Sequence, residues 1–295
     1  MALLVDTLVF GVISGTLVAI GAVGFTLQYG VTNVLNLAYG SILTSAIFIG
    51  YLVSQHSTAL WLLLVAGSVW GAGLSYLLGM GLLARFVRRG TNAVGVAIVT
   101  VSVGLIIQFG LEAIQGPGLL SFQSVAGSPF HIFNAVVSTT QVTLVAVAVG
   151  LMFLMHLLLR HTRLGLAMRA TSADASLSRG CGISTNRIRS LSWLISGALC
   201  GVTGIILGVS VGAFNSTTGT ELFILIVAAA IVGGIGRPYG AMVGGLVLGI
   251  VSEGTAAVLS PALKDVVACG VIVLVLVARP QGIFSDYAST RSLAQ

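Results

Sequence analysis

An all-α, polytopic membrane helix bundle of about nine spans is the fold this sequence predicts. Three observations carry the prediction. Of the 295 residues, 57% are hydrophobic and only 7% charged, where a soluble domain carries about a quarter charged residues; the mean hydropathy is +1.10. The apolar residues collect in runs of membrane length. The basic residues gather at one set of run ends. A chain this poor in charge has too few polar groups to cover a water-facing surface, so lipid is its main solvent.

A spanning helix needs about 20 mostly apolar residues. In chain order the runs are 7–28, 36–54, 58–84, 92–112, 136–159, 190–211, 220–236, 239–259 and 265–279. They are longer and more uniformly apolar than barrel strands, which alternate over about ten residues. The whole chain, 1–295, reads as one transmembrane domain. Segment 113–135 is rich in Gly, Pro, Ser and Phe and reads as a loop with turns. A short or re-entrant helix is the alternative there. The start, with Asp6 and no basic residue, does not resemble a cleaved signal peptide.

Orientation follows from the arginines, which favour the cytoplasmic side. Arg85, Arg88 and Arg89 close the third run, the block 160–189 follows the fifth, Arg237 follows the seventh, and Arg279 and Arg291 follow the ninth. Alternating helices place twelve of the thirteen basic residues inside and only Lys264 outside. The N-terminus is then outside and the C-terminus cytoplasmic.

Block 160–189 holds six of the thirteen basic residues and is the one sizeable segment a bilayer would reject. A short helix is expected around Arg169 to Gly182, with Thr171 or Ser172 as cap and Asp174 near its positive end. Gly180 and Gly182 would stop it. Arg169, Asp174, Arg179 and Gly182 are the candidates for contact with a soluble partner. An ordinary loop held by lipid phosphates would use the same arginines.

Three features interrupt the apolar runs. Asn33 and Asn36 fall between the first two, with Gly40 on the same helical face and Tyr39 beside it. They read as a translocation-path or helix-break element, or as side chains bonding across to neighbouring backbone. Gly233, Gly234 and Gly236 precede Arg237 and Pro238. This breaks a helix, either against a cavity or as a simple turn. Glu253 is the only carboxylate deep in a run, and an intramembrane ionisable group is a candidate functional residue. It lies roughly 9 Å from the outer helix end at 1.5 Å per residue. Glycines four apart (197/201, 204/208, 240/244 and 245/249) predict close helix packing.

No phosphate-binding loop GxxxxGK[ST], HExxH, CxxC or GxSxG occurs, and His56, His131, His156 and His161 share no register. Cys181, Cys200 and Cys269 have no metal-like spacing. No cofactor is expected, and catalysis by this chain alone is not. The net charge of +6 reflects flanking arginines, not nucleic-acid binding.

The motifs, taken in order, resemble the H-type permease subunit of bacterial ABC importers for branched-chain and other hydrophobic amino acids. The likeness covers nearly the whole chain. It rests on Tyr29-Gly30-Val31, Asn36-x-Ala38-x-Gly40, Gly182-Ile183-x-Thr185 and Ser196-Gly197-Ala198-Leu199-x-Gly201-x-x-Gly204. It continues through Gly233-Gly234-Ile235-Gly236 and Gly240-Ala241-x-x-Gly244-Gly245 to Arg279-Pro280-Gln281-Gly282-Ile283-Phe284, the most specific match. Tyr39 departs from the family's usual His, Arg237-Pro238-Tyr239 departs from its usual turn, and the 160–189 loop is richer in Ser and Arg.

The resemblance implies an inner-membrane, type II importer fold of eight to ten spans. Its implied partners are a second homologous permease, two cytoplasmic ATPase subunits that carry out all ATP hydrolysis, an extracytoplasmic solute-binding protein and membrane lipids. It makes the 160–189 loop the coupling element, on the side opposite the 113–135 loop that the alternating spans already read as extracytoplasmic. It puts Asn33, Asn36 and Tyr39 toward the pore. Related permeases carry urea, short amides, sugars or nucleosides, and these remain alternative solutes. A secondary transporter is the other alternative, and it would need paired intramembrane charges where the spans offer only Glu253.

Overall fold

A computed structural model describes residues 2–57, 59–116, 118–122, 129–132, 135–258, 260 and 263–278. The Arg279 to Phe284 motif and Arg291 lie outside them. The order is α1 (Ala2–Thr32), α2 (Tyr39–Ser54), α3 (Leu60–Tyr76), a π-helical stretch (Leu77–Leu83), α4 (Ala84–Arg88) and α5 (Ala93–Gln115). Next come β1 (Leu120–Ser121), β2 (Pro129–Ile132), β3 (Ala135–Ser138), α6 (Thr139–His161), α7 (Arg163–Ala173), α8 (Ala175–Gly180) and α9 (Thr185–Val211). The chain ends with β4 (Ala213–Phe214), α10 (Thr218–Gly233), α11 (Pro238–Val258) and α12 (Lys264–Ala278).

Each apolar run forms a helix. Among the described residues, six helices are long and apolar enough to cross a membrane: Thr7–Thr32, Leu60–Val87, Ala93–Gln115, Thr139–His161, Thr185–Val211 and Pro238–Val258. Tyr39–Ser54, Thr218–Gly233 and the Val266–Val275 part of α12 are shorter apolar helices. Boundaries follow local chemistry. Asn92 caps α5, its side chain accepting from Gly95 N at 2.9 Å. Ser138 and Gln141 close a capping box on α6.

The all-α expectation needs one correction. Within 113–135, residues 113–115 end α5 and the other described residues form short strands and turns, not a further helix. β1 pairs antiparallel with β4, and β2 with β3. Phe122, next to β1, packs on Phe214 of β4 (centroids 5.4 Å apart), and both meet Tyr51 of α2. This aromatic cluster ties the loop to the helix ends, and two-residue strands add little stability without it.

The core lies where α1, α9, α10 and α11 meet, with α2 and α3 packed against α9. α1 against α11 and α3 against α9 are the most extensive interfaces. Both are seamed with glycine. A Cβ on Gly201 would strike the Gly67 carbonyl, and one on Gly197 the Gly71 carbonyl. On the α1–α11 seam, a Cβ on Gly249 would strike Gly15 and one on Gly245 would strike Ala19. Gly79, in the π-helical stretch, lies flat under the Trp193 indole. The expected Gly197/Gly201, Gly240/Gly244 and Gly245/Gly249 pairs are therefore seams between helices, with Gly204 against the Leu43 carbonyl and Gly208 against Ile47 and Phe122. α5 and α6 stand apart, with apolar side chains such as Ile106 and Phe153 exposed at 71% and 62%. Exposed apolar faces of this extent suit a membrane or another apolar partner.

Gly201→Leu is expected to destabilise the purified protein by more than about 3 kcal/mol, the upper end for an overpacked core, because the new carbons meet backbone. Gly73→Ala, whose Cβ meets nothing within 4 Å, is expected to leave the melting temperature unchanged. Differential scanning fluorimetry in detergent separates the two.

Candidate functional site

The first site is the junction between α1 and α2. Thr32 ends α1, its hydroxyl donating to Gln28 O (2.7 Å) and accepting from Val34 N (3.3 Å). Asn33 then takes a positive φ of 53°, a conformation Asn tolerates better than most residues. Residues 33–36 are not helical. The expectation that Asn33, Asn36 and Gly40 share one helical face is therefore overturned, because the left-handed turn at Asn33 breaks the register. Asn33 is exposed, whereas Asn36 and Tyr39 are fully buried.

A break in lipid leaves backbone groups that need partners. Thr100 of α5 supplies them: Leu37 N donates to its hydroxyl (3.3 Å), which lies 3.4 Å from Leu35 O. Gln28 Oε1 accepts from Asn36 Nδ2 (3.4 Å) and from Ser196 Oγ of α9 (3.2 Å). Ser192, one turn earlier, donates to Leu27 O (3.3 Å). The Tyr39 hydroxyl donates to Gly21 O (3.1 Å), and Cys200 Sγ reaches Tyr39 O (3.5 Å). Phe25 and Phe223 pack against the Tyr39 ring.

Two buried atoms in this cluster lack partners, Gln28 Nε2 and Asn36 Oδ1. Exchanging oxygen and nitrogen in both amides preserves their mutual contact and only moves the two orphans. Such a pair lowers the stability of this packing relative to one that satisfies it. Gln28, Ser192, Ser196, Thr100 and Cys200 are the members that sequence reasoning missed. The available signal was Gln28 inside an apolar run and two serines four apart on α9.

The second site is the 160–189 loop. It forms two helices, α7 and α8, where one was expected. Thr171 and Ser172 do not cap; their hydroxyls bond back to Ala167 O (2.8 Å) and Arg169 O (2.9 Å). Asp174 is the cap. Its Oδ1 accepts from Ser176 N (2.7 Å), Ser176 Oγ (2.7 Å) and Leu177 N (3.0 Å). The Ser176 hydroxyl, then the backbone N–H groups of Leu177 and Ser176, hold its carboxyl below the usual carboxylate range, and Arg179 adds to the effect. Gly182, at φ +83°, stops the pair as expected, and Ile183 N closes on Ser178 O at 3.0 Å.

Gly165 lies directly on the Leu158 and Leu159 backbone, so α6 turns tightly into α7. Met168 and Thr171 bury the inner face, while Leu166 (62%), Leu177 (67%), Arg169 and Arg179 stand exposed.

The remaining candidates lie elsewhere. Gly234 and Gly236 have positive φ (98° and 86°) and form the turn from α10 to α11, with Arg237 N bonding to Gly234 O at 3.1 Å. Gly233 lies flat against Gly240. Gly30 of α1 packs on Gly236, so this turn abuts the end of α1. Glu253 is remote from the junction. It accepts from Ser14 Oγ (2.8 Å) and pairs with Lys264 at 2.7 Å. Among the described residues, no group of three His, Cys, Asp or Glu could hold a metal ion.

Fold and sites together define a multi-pass helical membrane protein with a buried polar junction and an exposed helical loop. Residues 7–276 match the family described as the permease component of branched-chain amino acid transport systems, and the chain belongs to that family. It is 30% identical over 287 residues to the high-affinity branched-chain amino acid transport system permease protein LivH of Escherichia coli (strain K12), covering 92% of each chain. The corresponding LivH of Salmonella typhimurium is 29% identical over 287 residues, again with 92% of each covered. BraD of Pseudomonas aeruginosa, a permease protein with the same description, is 30% identical over 289 residues, 94% of each.

Asn36→Leu is expected to cost about 0.5–1.5 kcal/mol, the net worth of one hydrogen bond, because Gln28 Oε1 keeps its bond from Ser196. Ser102→Ala, at an exposed hydroxyl, should cost nothing. Thermal melts of both variants test this. At the loop, Asp174→Asn keeps a capping oxygen and is expected to preserve transport, whereas Asp174→Ala reduces it. The charged carboxylate strengthens that cap, and this added stability is fully present above the ordinary carboxylate pKa, about 4. It is lost as pH falls through the lowered value; hydrogen exchange at Ser176 and Leu177 across that range reads it.

Proposed function

We propose that this chain is the permease subunit of an ATP-driven ABC importer that moves branched-chain or other hydrophobic amino acids across a bacterial inner membrane. The observation that carries the reading is the family match over residues 7–276. ATP hydrolysis belongs to partner subunits. Two cytoplasmic ATPases, a second homologous permease and an extracytoplasmic solute-binding protein complete the assembly.

In this reading nine helices span, the six long ones and the three shorter ones, with the N-terminus outside and the C-terminus cytoplasmic. The positive-inside bias supports it. α7–α8, the α4 end with Arg85 and Arg89, and the Arg237 turn then share the cytoplasmic side, and Lys264 lies outside.

The α7–α8 pair has the form of a coupling element. Its exposed Leu166 and Leu177, flanked by Arg169 and Arg179, suit an amphipathic groove with acidic edges. α7 also packs on α1 and α9, the helices that carry Gln28, Ser192 and Ser196. Closure of the ATPase dimer moves α7, and the α1–α2 junction receives the displacement. Asn33 faces the path directly, while Asn36 and Tyr39 hold the junction behind it. Glu253, paired with Lys264, serves at the outer rim.

Leu177→Asp is expected to weaken ATPase association by roughly ten- to a hundredfold, the equivalent of one buried leucine, and to reduce leucine uptake into proteoliposomes accordingly. Unchanged co-purification and uptake would overturn the coupling assignment. For orientation, the exposed Cys181 should react with an impermeant maleimide only in inside-out vesicles; reaction in right-side-out vesicles overturns the topology.

A further inference from the structure

A cavity of about 440 Å³ opens between α7, the end of α1 and the α10–α11 turn, within the about 300–1,000 Å³ typical of small-molecule sites. Its polar rim is Arg169, Ser172, Arg237 and Tyr239. Its apolar wall includes Leu27, Val31, Leu159 and Val243. No carboxylate appears among the described residues that line it. The wall reaches inward: Leu27 lies five residues before the end of α1 and Val243 five residues into α11, about 8 Å at 1.5 Å per residue.

We propose that this cavity binds an anionic phospholipid, its phosphate on Arg169 and Arg237 and one acyl chain along Leu27, Val31, Leu159 and Val243. Two guanidinium groups provide the planar, multiple-donor recognition that phosphate favours. Basic pockets between spanning helices on the cytoplasmic side hold anionic headgroups, and the site's place in that leaflet rests on the orientation proposed above. A free phosphate would have no use for the apolar wall. A zwitterionic amino acid would need an acid for its ammonium group, and the lining offers none.

The lipid would touch three parts that transport must coordinate. Arg169 and Ser172 belong to the coupling helix, Arg237 to the turn between α10 and α11, and Val31 to the last turn of α1. One bound molecule would therefore tether the coupling loop to the junction.

The test is native mass spectrometry of the full chain, purified with the subunits that accompany it and offered phosphatidylglycerol or phosphatidylcholine in detergent. Phosphatidylglycerol should be retained in preference. Arg169→Gln and Arg237→Gln should each lower retention about fivefold. Val243→Trp, which fills the apolar wall at a partly exposed position and keeps both arginines, should lower it as well. Arg85→Gln, at an exposed residue away from the cavity, should not. Equal retention of the two lipids, unchanged retention in the cavity variants, or displacement by inorganic phosphate as effective as by phosphatidylglycerol itself would each overturn the proposal. The readout needs neither ATP nor uptake, so its failure is distinct from failure of the importer reading.

Discussion

Backbone against backbone through glycine is the contact on which this structure depends. Lipid tails are as apolar as leucine, so helices in a bilayer gain little from burying apolar surface and rely on close van der Waals contact and polar bonds between them. Gly11, Gly15, Gly245 and Gly249 join α1 to α11, and Gly67, Gly71, Gly197 and Gly201 join α3 to α9. Gly233, Gly240 and Gly244 do the same for α10 and α11. Where such seams are absent, as on much of α5 and α6, the helices present apolar side chains outward.

Against that close-packed centre the chain breaks a helix between α1 and α2. The turn at Asn33 exposes peptide groups that a bilayer cannot solvate. Thr100 from α5 meets those at residues 35 and 37 and the Thr32 hydroxyl that of Val34, while Gln28 and Ser196 of α9 hold the side chains behind them. The junction is thus built from three separate helices. Two side-chain amide atoms in it, Gln28 Nε2 and Asn36 Oδ1, stay without partners.

Much of this was legible in the sequence. Each apolar run became a helix because length and composition decide that question in lipid. The glycine spacings reported the seams, and Gly182 and the Gly233–Gly236 cluster ended helices where expected. What escaped was long-range. Asn33 and Asn36 look like one helical face until the backbone at Asn33 turns left-handed. Thr100 looks like an ordinary threonine until α5 is placed beside residue 35. Asp174 was read as an acid near a helix start, when its spacing to Ser176 and Leu177 makes it the cap itself. The short strands around Phe122 and Phe214 depend on an aromatic cluster assembled from segments far apart in the chain.

The tight turn at Gly165 has a consequence for how force travels. With no side chain to cushion it, α7 rests directly on the last turn of α6, and its inner face is anchored through Met168 and Thr171. α7 and the end of α6 then behave as one stiff elbow. The compliant element is the single non-helical residue between α7 and α8, Asp174, with the turn that follows α8. Between Leu177 and the membrane helices therefore stand, in order, a hydrogen-bonded cap and a closely packed limb.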